Sequence, residues 1–240
     1  MLRKDLTPYY RAAVNDGALR VLGEAAAQYV EDGTKVGLGT GRAATAFVKA
    51  LAERVHRLRF SITCVATSEA TQRLAGDLGL VVVPLSDARD LDLTVDGADE
   101  VDPRLDLIKG LGGALVREKI VAASSARLVI VVTTDKLVDR LGVRTPLPVE
   151  IVPFGRPLCE RRLSLLGAKP RLRAGASGPF VSDNGNYILD CGFAAIDDPA
   201  ALDRQIREIP GVVDTGLFVG MAERVLVQEG DTVKVRTRVA

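Results

Sequence analysis

The chain has 240 residues, of which 47% are hydrophobic and 26% are charged. This length and composition indicate a globular protein of one or two domains with a large apolar core, and they exclude a disordered or fibrous chain. The 32 Lys and Arg residues nearly balance the 31 Asp and Glu residues, which leaves a net charge of +1. Because so small a charge provides no general attraction for nucleic acid or an anionic membrane, we expect neither as a partner.

Strands and helices are predicted to alternate over the first half of the chain. Apolar residues at helical spacing predict helices, and short β-branched runs between turn residues predict strands. The predicted helices cover residues 16–30, 43–54, 69–78 and 113–123, and the predicted strands cover residues 35–38, 62–66, 80–83, 91–95 and 128–132. This alternation predicts an α/β fold in which a parallel sheet carries helices on both faces.

A different order of elements begins near residue 146. Strands are predicted over residues 149–154, 171–174, 180–182, 187–190 and 212–218, and helices over residues 156–166 and 199–209. The segment Asp183-Asn184-Gly185-Asn186 between two of these strands is a strong hairpin signal. The order β-α-β-β-α-β predicts a ferredoxin-like α+β unit. Residues 225–227 and 233–235 then either form a closing hairpin or rejoin the first sheet.

Cysteine and histidine are scarce in this sequence. The three cysteines, Cys64, Cys159 and Cys191, have no CxxC spacing, which predicts neither a zinc site nor a disulfide framework. The single histidine, His56, lies in a charged run, so we expect acid–base chemistry to use Asp, Glu or Lys instead. The first five residues are not followed by an apolar segment, and no apolar run is long enough to cross a bilayer, so we expect a cytoplasmic protein.

A glycine-rich turn, Gly39-Thr40-Gly41-Arg42-Ala43, joins the first predicted strand to the next helix. Glycines let the backbone approach a ligand, and a helix N-terminus presents free N–H groups that favour an anion such as phosphate. The Arg42 guanidinium would suit the same anion, although such turns also occur without a ligand. The pattern also fits a relaxed dinucleotide fingerprint, but the second strand ends in Ala66-Thr67-Ser68 without the acidic residue that a nicotinamide site requires. We therefore predict no cofactor.

Two aspartates follow the strand that ends at Val95, in the sequence Asp96-Gly97-Ala98-Asp99. Ligands bind at the carboxyl ends of strands in open α/β sheets, and the two small residues would let both carboxylates face one cavity. Such a pair repels, which raises one pKa and leaves an acid beside a base. Asp is also a common turn residue. A Mg²⁺ site is compatible with one short DxxD motif but not required by it, and we predict no metal.

The segment Lys109-Gly110-Leu111-Gly112-Gly113 opens a predicted helix that carries Glu118. A lysine among glycines suggests a cradle for an oxyanion or a phosphate. Glu118 shares a helical stripe with Leu115 and Ala122, which predicts partial burial and a raised pKa that suits a base. The alternative is an exposed run of charged residues.

Lys136 follows the strand over residues 128–132, where it could meet an anion or simply lie on the surface. Three of the four segments described above follow parallel strands at their carboxyl ends, so we expect all four to form one crevice. The crevice would combine anion-binding turns, carboxylates and lysines without a histidine. This set suits proton transfer on a phosphorylated sugar better than nucleophilic hydrolysis.

The same segments resemble the type A ribose-5-phosphate isomerases. The resemblance covers residues 36–41, 95–100, 108–120, 146–150, 183–186 and 209–213, in the order found in the family. It implies a Rossmann-like domain over residues 1–146 and 219–240 with an inserted ferredoxin-like α+β domain over residues 147–218. It also implies a cytoplasmic homodimer, or dimer of dimers, in the non-oxidative branch of the pentose phosphate pathway. The implied reaction interconverts ribose 5-phosphate and ribulose 5-phosphate through an enediolate, without a metal.

Residue roles follow from the resemblance by position. It implies that Glu118 is the base that moves a proton between C1 and C2, and that Asp96 and Asp99 handle sugar hydroxyls and ring opening. Lys109 and its glycines would hold developing oxyanion charge. The implied substrate-binding residues are Thr40, Gly41, Arg42, Ala43, Asp96, Gly97, Ala98, Asp99, Lys109, Gly110, Leu111, Gly112 and Lys136.

The chain departs from the family pattern at the glycine turn and near Lys136. The family turn usually continues Gly-Thr-Gly-Ser-Thr, whereas Arg42 and Ala43 follow Gly41 here, and Thr133 replaces the usual Asp three residues before the lysine. These differences leave open an altered sugar-phosphate preference or a non-catalytic sugar-phosphate sensor. The four retained catalytic residues favour the enzyme, because a sensor needs no base.

Overall fold

The computed structural model describes residues 16–88 and 90–238. The sequence predicts no secretory signal at the N-terminus, and this prediction concerns residues outside the described ranges. The α-helices are α1 (Asp16–Ala27), α2 (Arg42–Leu58), α3 (Glu69–Asp77), α4 (Leu115–Ala123), α5 (Arg156–Leu165) and α6 (Pro199–Arg207). Short 3-10 helices cover Leu85–Asp87, Thr134–Lys136 and Pro153–Gly155. In the described ranges, none of the helices is both long and apolar enough to span a membrane.

The strands form two large sheets and two small ones. In chain order they are β1 (Lys35–Leu38), β2 (Thr63–Ala66), β3 (Leu93–Asp96), β4 (Glu100–Val101), β5 (Leu107–Ile108), β6 (Leu128–Thr133), β7 (Leu147–Ile151), β8 (Lys169–Leu172), β9 (Ala174–Gly175), β10 (Gly178–Pro179), β11 (Tyr187–Gly192), β12 (Val212–Thr215), β13 (Leu217–Phe218), β14 (Arg224–Glu229) and β15 (Thr232–Thr237).

The larger sheet has six strands in the order β15-β14-β6-β3-β1-β2, and all neighbours are parallel except β14 and β15. Its central strands are continuous apolar runs, as expected when helices cover both faces of a parallel sheet. Leu22 of α1 and Phe47 of α2 are fully buried against Leu38 and Val95 of the sheet. The chain moves outward from β1 to β2 and then returns to β3 on the other side of β1. This reversal creates a crevice at the carboxyl ends of β1 and β3, which is where ligands bind in such sheets.

The smaller sheet is antiparallel, with the strand order β12-β7-β11-β8. Helix α5 follows β7 and helix α6 follows β11, which gives the predicted β-α-β-β-α-β order. Cys159 and Leu163 of α5 and Ile206 of α6 pack in the core of this sheet. The predicted fold class, a Rossmann-like parallel sheet with an inserted ferredoxin-like unit, is confirmed.

Some predicted strands are interrupted or shorter in the structure. Residues 80–83 form only one bridge, between Cys64 and Val82, because Pro84 follows at once and cannot donate to a ladder. Residues 180–182 also form only one bridge, between Val181 and Tyr187. The predicted strand 212–218 is divided at Gly216 into β12 and β13, and β13 pairs with β5 in a three-stranded sheet that includes β4.

The last two strands both form a hairpin and rejoin the first sheet. β14 lies parallel to β6 and antiparallel to β15. Residues near the predicted domain boundaries pack in both cores. Leu141 lies in the core of the smaller sheet, and Phe218 packs with Ile130 beneath the larger one. The boundaries at residues 146/147 and 218/219 stay a prediction.

Candidate active site

A cleft of ≈ 130 Å³ lies at the carboxyl ends of β1, β3 and β6, which are adjacent in the larger sheet. The loops after these strands form its walls, and the loop before α4 completes it. The lining residues are Leu19, Thr40, Gly41, Arg42, Ala43, Gly97, Ala98, Asp99, Lys109, Gly110, Leu111, Gly112, Glu118, Val131, Val132, Thr133, Asp135 and Lys136. The structure therefore brings the four predicted segments together.

Lys109 is the centre of the charged groups in the cleft. Its side chain is only 2% exposed, and Nζ lies 3.0 Å from Oδ2 of Asp96 and 3.3 Å from Oε2 of Glu118. Nζ also donates to the carbonyl of Gly97 at 2.7 Å. Burial lowers the pKa of an ammonium, but the two carboxylates outweigh burial and raise the pKa of Lys109 above its ordinary value. Lys109 therefore carries its positive charge throughout the physiological pH range.

Asp96 lies behind Lys109 and does not line the cleft. Its side chain is 1% exposed, and Oδ1 accepts hydrogen bonds from the N–H groups of Gly97 at 2.7 Å and Thr40 at 3.0 Å. Gly39 makes this packing possible, because a Cβ at that position would lie 2.2 Å from Oδ1 of Asp96. Burial raises the pKa of Asp96, while Lys109 and the two N–H donors oppose the rise.

Glu118 reaches the cleft from the first turn of α4 and is only 4% exposed. Its pKa is raised to about 8, chiefly by burial and then by the charges of Asp96 and Asp99, against the attraction of Lys109. The predicted burial and raised pKa are confirmed. Burial is the cause that the sequence predicted for Glu118. For Asp96 and Asp99 the predicted cause was their mutual repulsion, whereas burial is the largest cause for both.

Hydrogen bonding identifies which carboxyl group keeps a proton. The Lys109 ammonium contacts the carboxyl groups of Asp96 and Glu118, so the three groups carry a total charge of −1 when both carboxyl groups are ionised. Asp96 accepts two backbone N–H bonds, whereas Oε2 of Glu118 has no hydrogen-bond donor among the described residues other than its ion pair with Lys109. Because the ionised form of Asp96 is better solvated by the protein, Glu118 is the group that takes up the proton near neutral pH.

Asp99 lines the cleft and accepts a hydrogen bond from the Leu111 N–H at 2.9 Å. Burial raises its pKa, and the Leu111 N–H, Lys109, Lys136 and Arg173 oppose the rise in that order. Asp99 is therefore a carboxyl group whose proton can be exchanged with a hydroxyl in the cleft.

The glycine turn after β1 is held by a cluster of hydroxyl groups. The Thr40 Oγ1 lies 2.7 Å from the Thr67 Oγ1 and donates to Ser68 Oγ at 2.8 Å, and Thr71 Oγ1 donates to the carbonyl of Gly39. Gly41, with a φ of 100°, caps α2 without a side-chain hydrogen bond. Gly41, Arg42 and Ala43, at the N-terminus of α2, line the cleft, and a helix N-terminus favours an anion.

Two basic residues on either side of Glu118 fix the orientation of α4. Arg117 donates to Oδ1 of Asn184 at 2.9 Å and to the carbonyl of Asp183 at 2.7 Å, in the predicted hairpin turn. Lys119 donates to Oδ1 of Asp214 at 2.7 Å. These contacts join the helix that carries Glu118 to the ferredoxin-like unit. The sequence analysis missed them because they connect residues 66–95 positions apart.

The residues predicted for the site are nearly all in the cleft. Every predicted substrate-binding residue except Asp96 lines it, whereas His56 is exposed on α2 and hydrogen-bonds to the carbonyl of Leu78. The cleft also contains Leu19, Val131 and Asp135, which the sequence analysis did not single out. Asp135 could have been found from its position beside Lys136, but Leu19 and Val131 look like ordinary core residues in the sequence.

The fold and the cleft define a class of enzyme. A buried carboxyl group with a pKa near neutrality, a permanently charged ammonium and an anion site at a helix N-terminus lie together in a Rossmann-like sheet. This set can move a proton at carbon while it stabilises the oxyanion that forms, which is the chemistry of an aldose–ketose isomerase.

Comparisons with known proteins identify the family. Residues 63–232 match the sequence model of ribose 5-phosphate isomerase A (phosphoriboisomerase A). The chain is 54% identical over 210 residues to ribose-5-phosphate isomerase A of Roseiflexus sp. (strain RS-1), covering 87% of this chain and 90% of that protein. It is 52% identical over 213 residues to that of Gloeobacter violaceus, covering 88% and 92% respectively. The chain belongs to the ribose 5-phosphate isomerase A family.

Solved structures agree with this assignment. The ribose 5-phosphate isomerase A of Methanocaldococcus jannaschii has a TM-score of 0.90 at 36% identity, covering 93% of this chain and all of that one. A D-ribose-5-phosphate isomerase in complex with phospho-erythronic acid has a TM-score of 0.91 at 37% identity, covering 94% of this chain and 100% of that chain. The predicted activity is thereby confirmed: the chain is an isomerase that interconverts ribose 5-phosphate and ribulose 5-phosphate.

Proposed function

We propose that Glu118 is the base of this isomerisation and that Lys109 holds the oxyanion of the intermediate. The observation that carries the proposal is the buried contact of Lys109 with both Asp96 and Glu118 at one end of the cleft. A carboxylate and an ammonium at this separation can act on adjacent atoms of one substrate, because the carboxylate can take a proton from carbon while the ammonium faces the neighbouring oxygen.

The reaction is balanced by two protons, one that moves from C2 to C1 and one that moves from O2 to O1. Ionised Glu118 removes the proton from C2 of the open-chain aldose, and the electron pair of the C1 carbonyl moves to O1 to give an enediolate. The O2 proton then passes to O1, and protonated Glu118 returns a proton to C1 as the ketose carbonyl forms at C2. A base with a pKa of about 8 is suited to both directions, because it is neither too weak to take the proton nor too strong to return it.

Lys109 and the glycine loop after it are proposed to stabilise the enediolate. The Lys109 ammonium is held by Asp96 and by the Gly97 carbonyl, so it needs no reorganisation when charge develops on the substrate. A related isomerase has been solved with phospho-erythronic acid, a phosphorylated sugar acid whose planar carboxylate resembles an enediolate. Its similarity to this chain supports a cleft that is shaped for the intermediate.

Asp96 and Asp99 are proposed to have different roles. Asp99 lines the cleft and can exchange a proton with the sugar hydroxyls during ring opening. Asp96 lies out of reach behind Lys109, so we assign it the task of orienting and charging that lysine. This assignment revises the expectation that both aspartates handle sugar hydroxyls.

The phosphate is proposed to bind where the glycine turn meets α2. The turn from Thr40 to Ala43 presents backbone N–H groups, and Arg42 and Lys136 also line the cleft. Arg42 would replace the two hydroxyl groups that the family usually has after the second glycine. The remaining substrate-binding roles of Gly97, Ala98 and residues 110–112 are proposed to follow from their place in the wall of the cleft.

The proposal is tested by isomerisation in D₂O. Purified protein is incubated with ribose 5-phosphate and EDTA, without nicotinamide, and the ribulose 5-phosphate is analysed by NMR. We expect full activity, with deuterium at C1 to the extent that the Glu118 proton exchanges with solvent before it is returned. Product formation by Glu118→Gln at the wild-type rate would contradict transfer through Glu118. Glu53→Gln, on the exposed part of α2, is the matched control for Glu118→Gln.

We further propose a cytoplasmic homodimer with the two domains predicted above. The free thiols of Cys64, Cys159 and Cys191 support a reducing compartment. Phe154, which is 97% exposed, follows β7 near other exposed apolar residues, which supports contact with a second copy. Light scattering after gel filtration measures the mass, and Phe154→Ser should lower it if this surface is the interface.

A further inference from the structure

We propose that Arg173, which belongs to the ferredoxin-like unit, is a positioning residue for catalysis because it fixes the loop between Lys109 and Gly113. This inference rests on the function proposed for the cleft. It assigns to the inserted unit a direct part in shaping the active site, through a residue that does not line the cleft itself.

The Arg173 side chain makes four hydrogen bonds, two to the loop after Lys109 and two within the ferredoxin-like unit. Nη1 donates to the carbonyls of Gly110 at 2.9 Å and Leu111 at 3.1 Å. Nε donates to Oδ2 of Asp190 at 3.0 Å, and Nη2 donates to the other oxygen of the same carboxylate. The Arg173 side chain is 11% exposed. The bidentate pair with Asp190 fixes the plane of the guanidinium. Nη1, which does not contact Asp190, then donates to the loop.

The surroundings of Arg173 hold it in place. It lies between β8 and β9, with its N–H bonded to the Ile188 carbonyl at 2.9 Å and its carbonyl accepting from Phe180 at 2.8 Å. The guanidinium lies 5.7 Å from the centroid of the Phe180 ring. Phe180 in turn touches the end of the loop, because a Cβ on Gly113 would lie 2.4 Å from that ring. The guanidinium and the ring therefore constrain the loop at both ends.

The loop connects this contact to the catalytic groups. Leu111, whose carbonyl accepts from Arg173, donates its own N–H to Asp99. Gly110, the other acceptor, directly follows Lys109 in the chain, and its φ of 104° is one that glycine adopts readily. A displaced loop would thus move both the Leu111 N–H that donates to Asp99 and the backbone of Lys109. Misplacement of about 1 Å at an active site can cost about a hundredfold in rate.

Arg173 also acts on Asp99 through its charge. The charged groups around Asp99 are Lys109, Lys136 and Arg173 as cations and Glu118 as an acid. Each of the three cations lowers the pKa of Asp99 against the effect of burial. Removal of the Arg173 charge should therefore raise the pKa of Asp99.

The test compares Arg173→Ala and Arg173→Lys with the wild-type protein, using Arg171→Ala as the control. Arg171 is an exposed arginine two positions earlier on β8. We expect Arg173→Ala to lower kcat by about tenfold to a hundredfold with little change in KM. We expect Arg173→Lys to lower kcat as well, because the fork is lost although the charge remains. Arg171→Ala should match the wild type.

Circular dichroism first establishes that each variant is folded, and Arg173→Lys carries the test if Arg173→Ala does not fold. Folded variants with kcat within about twofold of the wild type would overturn the inference. An increased KM with unchanged kcat would also overturn it, since that result describes a substrate ligand. The function proposed for the cleft fails separately, when Glu118→Gln keeps its activity or when the wild type does not isomerise ribose 5-phosphate.

Discussion

Replacement of Glu118 by glutamine removes the proposed base and preserves the shape of the side chain. Glu118 is 4% exposed and its closest charged partner is Lys109 at 3.3 Å, so the neutral amide should fit the same site. We expect kcat to fall by about 10²–10⁴-fold, the usual contribution of a general base, while KM stays nearly the same. The exposed Glu53→Gln variant should keep the wild-type kcat.

The raised pKa of Glu118 also predicts how activity depends on pH. Only the ionised carboxylate can take the proton from C2, so kcat/KM of the wild type should rise up to about pH 8 and then level off. The phosphate of the substrate has a second pKa of about 6, so it is already a dianion over most of the range from pH 7 to 9. A rise between pH 7 and 8 therefore reports on the enzyme.

Stability should change with pH in the opposite direction. The folded pKa of Glu118 is about 8 and its ordinary value is 4.5, so between these values the native state binds more protons than the unfolded state. The free energy of unfolding therefore falls as the pH rises through this window, by at most about 5 kcal/mol. Lys109 is charged in both states below its ordinary value of 10.5 and adds no slope there. Glu118→Gln removes the contribution of Glu118 to this slope.

The measurements are initial rates from pH 6 to 9 and urea unfolding at pH 5, 7 and 9. The variant should be more stable than the wild type at pH 9 and similar to it at pH 5. A kcat/KM that is flat from pH 7 to 9, together with a variant that keeps more than about a tenth of the wild-type kcat, would refute the assignment of Glu118 as the base.

Three further predictions concern the other charged groups of the cleft. Arg42→Ala should raise KM by about tenfold to a hundredfold with little change in kcat, because the phosphate lies far from the reacting carbons. The double variant Arg42→Ser with Ala43→Thr should recover much of the affinity. An unchanged KM in Arg42→Ala would contradict the phosphate-binding role of Arg42. Lys109→Met should lower the free energy of unfolding by about 3–5 kcal/mol at pH 9, measured by urea unfolding, because Asp96 and Glu118 lose their counterion. Activity should persist in EDTA, and a loss that Mg²⁺ restores would instead indicate a metal site.

Much of the fold could be predicted because its signals are local. The β-branched run of β6 and the glycine turn before α2 indicate their structures within a few residues, and the carboxyl ends of parallel strands meet at one edge of a sheet. The strands β4 and β5 were missed because two residues carry no periodicity. β5 pairs with β4 and also with β13, which lies more than a hundred residues later in the chain.

The site was predictable in its composition but not in its connections. The spacing of Leu115 and Glu118 on α4 indicated burial, and the glycines beside Lys109 indicated a ligand loop. Nothing local shows that Asp96 turns away from the cleft, because this depends on Gly39 in the turn after β1. The contacts of Arg173 and Arg117 depend likewise on the way in which the two sheets are docked, which the sequence pattern does not describe.

The position of β14 also determines when the active site can be assembled. β6, whose following loop carries Lys136, has β3 on one side and β14 on the other, yet β14 begins about ninety residues after β6 ends. Until residues 224–229 have left the ribosome, the apolar β6 has an open edge that can pair with another chain. The pairing is parallel and distant in sequence, which makes its formation slow. Nascent chains of this protein therefore pass through a period of exposure to aggregation that ends only with the last strands, and early termination of synthesis should yield insoluble rather than partly active product.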